Sequence, residues 1–120
     1  MSQVMQRTPC AGAILSYFGI ENGSTWNNRT KQNVWDNTLR RNGYSVRSRN
    51  SKIKPGSTAG SVRNTLANIA TDEPQIEAFV VRVQGHVLLM DRLGRTIVDT
   101  SPRKRDRRRV LGVLAVWKKI

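Results

Sequence analysis

The chain has 120 residues, of which 21 are Lys or Arg and 8 are Asp or Glu, so its formal net charge is +13. This length fits one domain over residues 1–120, and an apolar content of 38% is enough for a modest core. The only cysteine, Cys10, excludes an internal disulfide framework, and with a single histidine, His86, we expect neither a metal nor a cofactor. The excess positive charge indicates an anionic partner but gives no information about the fold.

Two helices are predicted in the first third of the chain. Pro9 is suited to the first helical position, and the apolar residues that follow have helical spacing up to Gly19. A second helix is predicted over residues 31–41, with Gly43 as its C-terminal cap. Cys10 therefore lies in the first turn of a mostly apolar helix.

The remainder of the chain is predicted to contain one more helix and five strands. Residues 44–49 alternate as a strand does, Pro55-Gly56 marks a turn, and a helix capped by Ser57 or Thr58 extends to about residue 70. The other four strands are predicted over residues 77–83, 86–91, 95–99 and 110–117. Helices in the N-terminal part followed by a mostly antiparallel C-terminal sheet predict an α+β domain, with these helices, the third included, packed on one side of the sheet.

The basic residues are concentrated near the end of the sequence. Residues 101–120 include 8 basic residues and one acidic residue, so they account for +7 of the total charge. The densest group is Arg103, Lys104, Arg105, Arg107, Arg108 and Arg109. Such a run is typical of a solvated loop or of a site that binds phosphate groups without sequence preference.

The sequence shows no targeting segment. The N-terminal residues lack a charged stretch followed by a clean apolar one, so we expect no signal peptide. The longest apolar run, residues 110–117, is far shorter than the roughly 20 residues that a membrane span needs. We therefore expect a soluble protein in a reducing, cytoplasmic compartment, with no membrane partner.

Cys10 and His86 occupy positions that suit nucleophilic chemistry. The positive end of the helix dipole favours the thiolate form of a cysteine in the first turn. An imidazole beside it would favour the thiolate further and could protonate a leaving amine. Asp99 ends the strand that follows the His86 strand, and an even-residue turn near Leu93-Gly94 puts both on one face of the sheet, whereas an odd-length loop does not. The residues thus permit a Cys10/His86/Asp99 triad without requiring it.

The sequence Gln6-Arg-Thr-Pro-Cys10-Ala-Gly-Ala-Ile-Leu resembles the nucleophile helix of papain-like cysteine peptidases, and Gly85-His86 through Asp99-Thr-Ser-Pro102 resembles their second motif. The nearest likeness is to the bacteriocin-processing peptidases that cleave double-glycine leaders, and a more distant one is to Josephin-type deubiquitinases. The resemblance implies a papain-like fold, with Cys10 as nucleophile, His86 as base and Asp99 as the orienting group. It also implies Gln6 or Gln3 as the oxyanion donor, although neither has the family's usual spacing from the cysteine.

Each of these residues also has a purely structural interpretation. Cys10 can be a small buried apolar residue, His86 a strand residue bonded to backbone, and Asp99 the start of a turn. The sequence therefore supports two functional hypotheses. The first is a cysteine peptidase-like hydrolase that cleaves peptide or isopeptide bonds of an acidic protein or peptide. The second is an inactive, basic, nucleic-acid-associated structural protein, and a viral or phage virion component would fit its size and charge.

Overall fold

A computed structural model describes residues 10–20, 32–98 and 107–119 of the chain. These residues form an α+β domain, as expected, with a five-stranded antiparallel sheet. The α-helices are α1 (Cys10–Tyr17), α2 (Gln32–Arg41) and α3 (Val62–Asp72). The strands are β1 (Tyr44–Ser48), β2 (Ala78–Val83), β3 (His86–Asp91), β4 (Thr96–Val98) and β5 (Val110–Lys118). Across the sheet the strands are ordered β1-β5-β2-β3-β4, so β5 and β2 lie at its centre.

Apolar residues cover both faces of the central strands. One face carries Val80, Val87 and Leu114 and packs against α1 and α2, through residues such as Leu15 and Trp35. We call it the α1 face. The opposite face, called the α3 face, packs against α3 and includes Phe79, Val81, Leu88, Met90, Val113 and Ala115.

The expectation that the helices lie on one side of the sheet is therefore wrong, because α3 covers the second side. The physical reason is that the central strands are apolar at consecutive positions rather than at alternate ones. Residues 78–81 of β2 and residues 86–90 of β3 are all buried. A strand with this pattern needs cover on both faces. The sheet is also not wholly C-terminal, since β1 precedes α3 in the chain.

The third helix begins later than the sequence suggests, because residues 58–61 form a separate turn. The Ser61 hydroxyl accepts a hydrogen bond from the Thr58 backbone N–H at 2.9 Å, and Thr58 Oγ1 accepts one from the Ser61 N–H at 3.2 Å. These reciprocal bonds satisfy donors that precede the helix. No helix in the described ranges is long and apolar enough to cross a membrane.

Candidate functional site

Of the three predicted triad residues, the structure describes His86 with its side chain and the backbone of Cys10. Cys10 lies in the first turn of α1, as expected, and only its backbone is described. The helix packs against β3 and β4 through its buried residues Ile14 and Leu15. Asp99 follows β4 directly but lies outside the described residues, as do both candidate oxyanion donors, Gln3 and Gln6.

His86 is the first residue of β3 and its side chain is nearly buried, at 3% exposure. It pairs with Val83 of β2, and the register continues without a shift to Val81 opposite Leu88. Because side chains alternate along a strand, His86 shares its face with Leu88, which belongs to the cluster covered by α3. Val87, in contrast, packs on the α1 face. A contact between His86 and a thiol at the start of α1 would thus have to form around the end of the sheet, not across one face.

The described part of the basic run is held beside the His86 strand. The Ala59 N–H donates a hydrogen bond to the Arg108 carbonyl at 2.9 Å, and the Gln84 N–H donates one to the Arg109 carbonyl at 3.3 Å. The Arg108 guanidinium in turn donates to the Gln84 carbonyl at 2.6 Å. Residues 107–109 are therefore fixed between the loop that precedes α3 and the β2–β3 turn. Arg103, Lys104 and Arg105 lie outside the described residues.

A second basic segment, which carries Lys52 and Lys54, lies along the start of β5. The Val110 N–H donates to the Ser57 carbonyl at 2.8 Å, and the Val113 N–H donates to Asn50 Oδ1 at 2.8 Å. These two bonds hold residues 50–57 against the same end of the sheet as the Arg107–Arg109 segment. Both lysine side chains are exposed there.

We call these three segments together the basic end: residues 50–59, 82–86 and 107–112. They contain no Asp or Glu, and their basic residues are Lys52, Lys54, Arg82, Arg107, Arg108 and Arg109. In the described ranges the acidic residues belong to other segments, and three of them have a basic partner of their own. The pairs are Asp36 with Arg40, Glu73 with Arg49, and Asp91 with Arg95. The basic end therefore carries six positive charges with no acidic residue in its own segments, although basic residues without an ion-pair partner, such as Lys118 and Lys119, also occur elsewhere in the described ranges.

A β-bulge shapes the basic end where β5 meets β2. Val83 pairs with Val110 but Arg82 pairs with Gly112, so Leu111 is an extra residue and its side chain is 54% exposed. Such bulges bend a strand and redirect its side chains. Arg82 is half-buried on the α1 face, and burial lowers the pKa of its guanidinium below the ordinary value. Among the described residues it has no ion-pair partner, so it adds an uncompensated charge.

Sequence reasoning did not identify Lys52, Lys54 and Arg82 as members of a site. A signal for the two lysines exists, because residues 37–71 include seven basic residues and no acidic one. No such signal exists for Arg82, which sits in an apolar strand and joins the basic end only through the pairing of β2 with β5.

The described ranges contain no group of three or more His, Cys, Asp or Glu side chains placed to hold a metal ion. The comparisons with known proteins do not identify a family. No protein-family model matches the chain, and comparisons with curated proteins and with solved structures give no match.

Proposed function

We propose that this protein binds the phosphate backbone of nucleic acid through the basic end. The observation that carries the proposal is that three segments distant in sequence meet there with six basic residues and no acidic one. Arg107 and Arg109 are exposed at its centre, and Lys52 and Lys54 are exposed beside them. Lysine and arginine that neutralise phosphates release condensed counterions, which gives affinity without base recognition.

The test is the salt dependence of binding to a short single-stranded oligonucleotide. Each phosphate contact contributes about 0.7 to the slope of log affinity against log salt for single strands. We expect Arg107→Gln/Arg109→Gln to weaken binding and to reduce that slope by about 1.4. Neither side chain is needed for the backbone hydrogen bonds that hold the segment, so the fold should be retained.

A matched control removes the same charge elsewhere. Arg41 and Arg47 are exposed and lie outside the basic end, and Glu73, which is 3.7 Å from Arg47, keeps Arg49 as a partner. We expect Arg41→Gln/Arg47→Gln to leave the slope unchanged. Equal losses in the two double variants would mean that net charge, rather than the basic end, is responsible. Competition with poly-glutamate distinguishes a nucleic-acid partner from an acidic protein partner. If the basic end is a site for acidic proteins, poly-glutamate should displace a bound oligonucleotide as readily as unlabelled oligonucleotide does.

A second candidate function is a papain-like cysteine hydrolase that acts on peptide or isopeptide bonds. It is favoured by the order of elements: Cys10 begins a helix that packs on β3 and β4, His86 begins β3, and Asp99 follows β4. In that mechanism Cys10 attacks the carbonyl and His86 transfers its proton to the leaving amine. Asp99 orients the imidazole, and Gln3 or Gln6 donates to the oxyanion.

The candidate is tested by the rate at which a thiol reagent labels Cys10 across pH. A cysteine activated by His86 reacts well below the ordinary thiol pKa of about 8.5, and His86→Ala abolishes that reactivity. Labelling that rises only near the ordinary thiol pKa, and that is the same in His86→Ala, would eliminate the hydrolase. Nucleic-acid binding would be unaffected by that result.

A further inference from the structure

A cleft lies at the opposite end of the sheet from the basic end. It has a volume of about 610 Å³, which is in the range of small-ligand sites. Register places it where β1 begins and β5 ends, since Tyr44 pairs with Lys118 and Ser45 with Trp117. The residues that line it are Ser45, Gln75, Glu77, Trp117, Lys118 and Lys119.

Trp117 supplies an aromatic wall. Its side chain is partly buried against the α3-face cluster, and it also lines the cleft. An indole fixed in this way loses little conformational freedom when a ring stacks on it. Base–aromatic stacking tolerates every base, because each base has a π-face.

The polar groups of the cleft are held by backbone hydrogen bonds. Glu77 Oε2 accepts from the Lys118 N–H at 2.6 Å, and the Glu77 N–H donates to the Val116 carbonyl at 2.9 Å. The Lys119 N–H donates to the Gly43 carbonyl at 2.9 Å. The backbone on both sides of Trp117 is therefore fixed, and the two lysine side chains remain exposed, with no ion-pair partner among the described residues.

We propose that this cleft binds a nucleoside phosphate, with the base stacked on Trp117 and the phosphate held by Lys119, while Lys118, whose side chain alternates to the other face of β5, adds positive charge at the rim. Glu77 and Gln75 provide hydrogen-bond acceptors for amino groups on the base edge. The ligand is either a free nucleotide or one nucleotide of a strand, because the recognising chemistry is the same. The inference does not depend on the basic end, which uses other residues at the far ends of β2 and β5.

The test compares binding of adenosine monophosphate, inorganic phosphate and a short single-stranded oligonucleotide to the whole chain. We expect the nucleotide or the oligonucleotide to bind in the cleft, and the nucleotide to bind more tightly than phosphate if the free form is the ligand. Because the stacked base loses its aromatic partner, Trp117→Ala should weaken binding about tenfold or more, while Trp117→Phe keeps most of the affinity. Lys118→Gln/Lys119→Gln should weaken it as well.

The control is Arg107→Gln/Arg109→Gln, which should leave nucleotide affinity unchanged. If only the oligonucleotide binds and Trp117→Ala weakens it, the ligand is a nucleotide within a strand. If the nucleotide binds no more tightly than phosphate and the oligonucleotide is insensitive to Trp117, the inference is overturned. Trp117→Ala removes part of the core and can therefore fail to fold. In that case the double variant Lys118→Gln/Lys119→Gln, which alters exposed groups alone, decides the question. Unchanged affinity of this double variant for both the nucleotide and the oligonucleotide overturns the inference.

Discussion

The Arg92 side chain links the β3–β4 hairpin to α3 by hydrogen bonds. Its replacement should therefore lower the free energy of unfolding more than the replacement of any exposed arginine. Its Nη1 donates to the Pro74 carbonyl at 2.9 Å and to the Ile76 carbonyl at 2.5 Å, and its Nη2 donates to the Ala70 carbonyl at 2.9 Å. Ala70 lies in the last turn of α3, where the helix dipole favours a positive charge. The guanidinium thus joins three segments of chain through one side chain.

The magnitude follows from the number and environment of these bonds. A hydrogen bond from a charged donor contributes about 1.5–3 kcal/mol, so three at the low end give roughly 4–5 kcal/mol. Pro74 is exposed and its carbonyl can turn to water, whereas Ile76 is buried and its carbonyl is less able to do so. We expect Arg92→Ala to lower the free energy of unfolding by about 2–3 kcal/mol. Arg92→Lys should lose about 1–2 kcal/mol, because one ammonium cannot reproduce the planar fork.

The assay is urea unfolding followed by tryptophan fluorescence, to which Trp35, at 1% exposure in the core of the α1 face, contributes together with Trp26 and Trp117. The matched control is Arg95→Ala, which removes an exposed ion pair with Asp91 and should cost no more than about 1 kcal/mol. A loss in Arg92→Ala no larger than in Arg95→Ala would refute the reasoning, since the three carbonyl contacts would then contribute nothing measurable.

Three further predictions concern glycines and one carboxylate. Gly94→Ala should cost more than about 2 kcal/mol, because φ is +78° and a Cβ there would lie 2.4 Å from the rigid Arg63 carbonyl oxygen. Gly112→Ala should lower the free energy of unfolding by less than about 1 kcal/mol in the same urea assay, because the atom 2.4 Å from its added Cβ is the flexible side-chain end of Gln32. Equal losses of stability in the two glycine variants would contradict both predictions. Burial opposes ionisation of Asp91, but hydrogen bonds from the Arg95 and Leu93 N–H groups and the Arg95 guanidinium lower its pKa below the ordinary value. Ionised Asp91 should therefore stabilise the fold fully above the unfolded pKa of about 3.9 and lose that effect as pH falls through the lower folded pKa. The stability difference between the wild type and Asp91→Asn should shrink in acid, and a difference that is constant with pH would contradict the assignment.

Most element boundaries, though not the start of α3, could be predicted from the sequence because their signals are local. Periodicity and the glycine at residue 43 predict a helix over residues 31–41, and α2 is observed at Gln32–Arg41. The turn at Leu93-Gly94 was predicted in the same way, and β3 pairs with β4 across it. The α+β class follows from this order of elements, whereas the papain-like detail stays a prediction.

The faces and the register could not be predicted because they depend on pairing between distant segments. The bulges between Arg82 and Val83 and between Leu89 and Met90 shift the register, and neither has a distinctive local sequence. A triad assembled across one face of the sheet needs α1 and His86 on the same face, but the unbroken apolar run of β3 allows either face to meet α1. The sequence predicted only the Arg107–Arg109 part of the basic end; its other two segments were missed for the same reason, because they are distant in sequence and are joined to it only by tertiary hydrogen bonds.

The two candidate functions converge on one end of the sheet, and this allows a single measurement to separate them. His86 follows the turn that Arg108 holds, so a hydrolase centred on His86 would lie at the basic end. A bound oligonucleotide would then cover the Cys10 thiol and slow its labelling by a thiol reagent. The hydrolase candidate predicts protection that disappears in Arg107→Gln/Arg109→Gln. An unchanged labelling rate at saturating oligonucleotide would place the thiol away from the bound strand. Because alternation puts His86 on the face opposite α1, that result would remove the hydrolase and leave phosphate binding as the activity of this end.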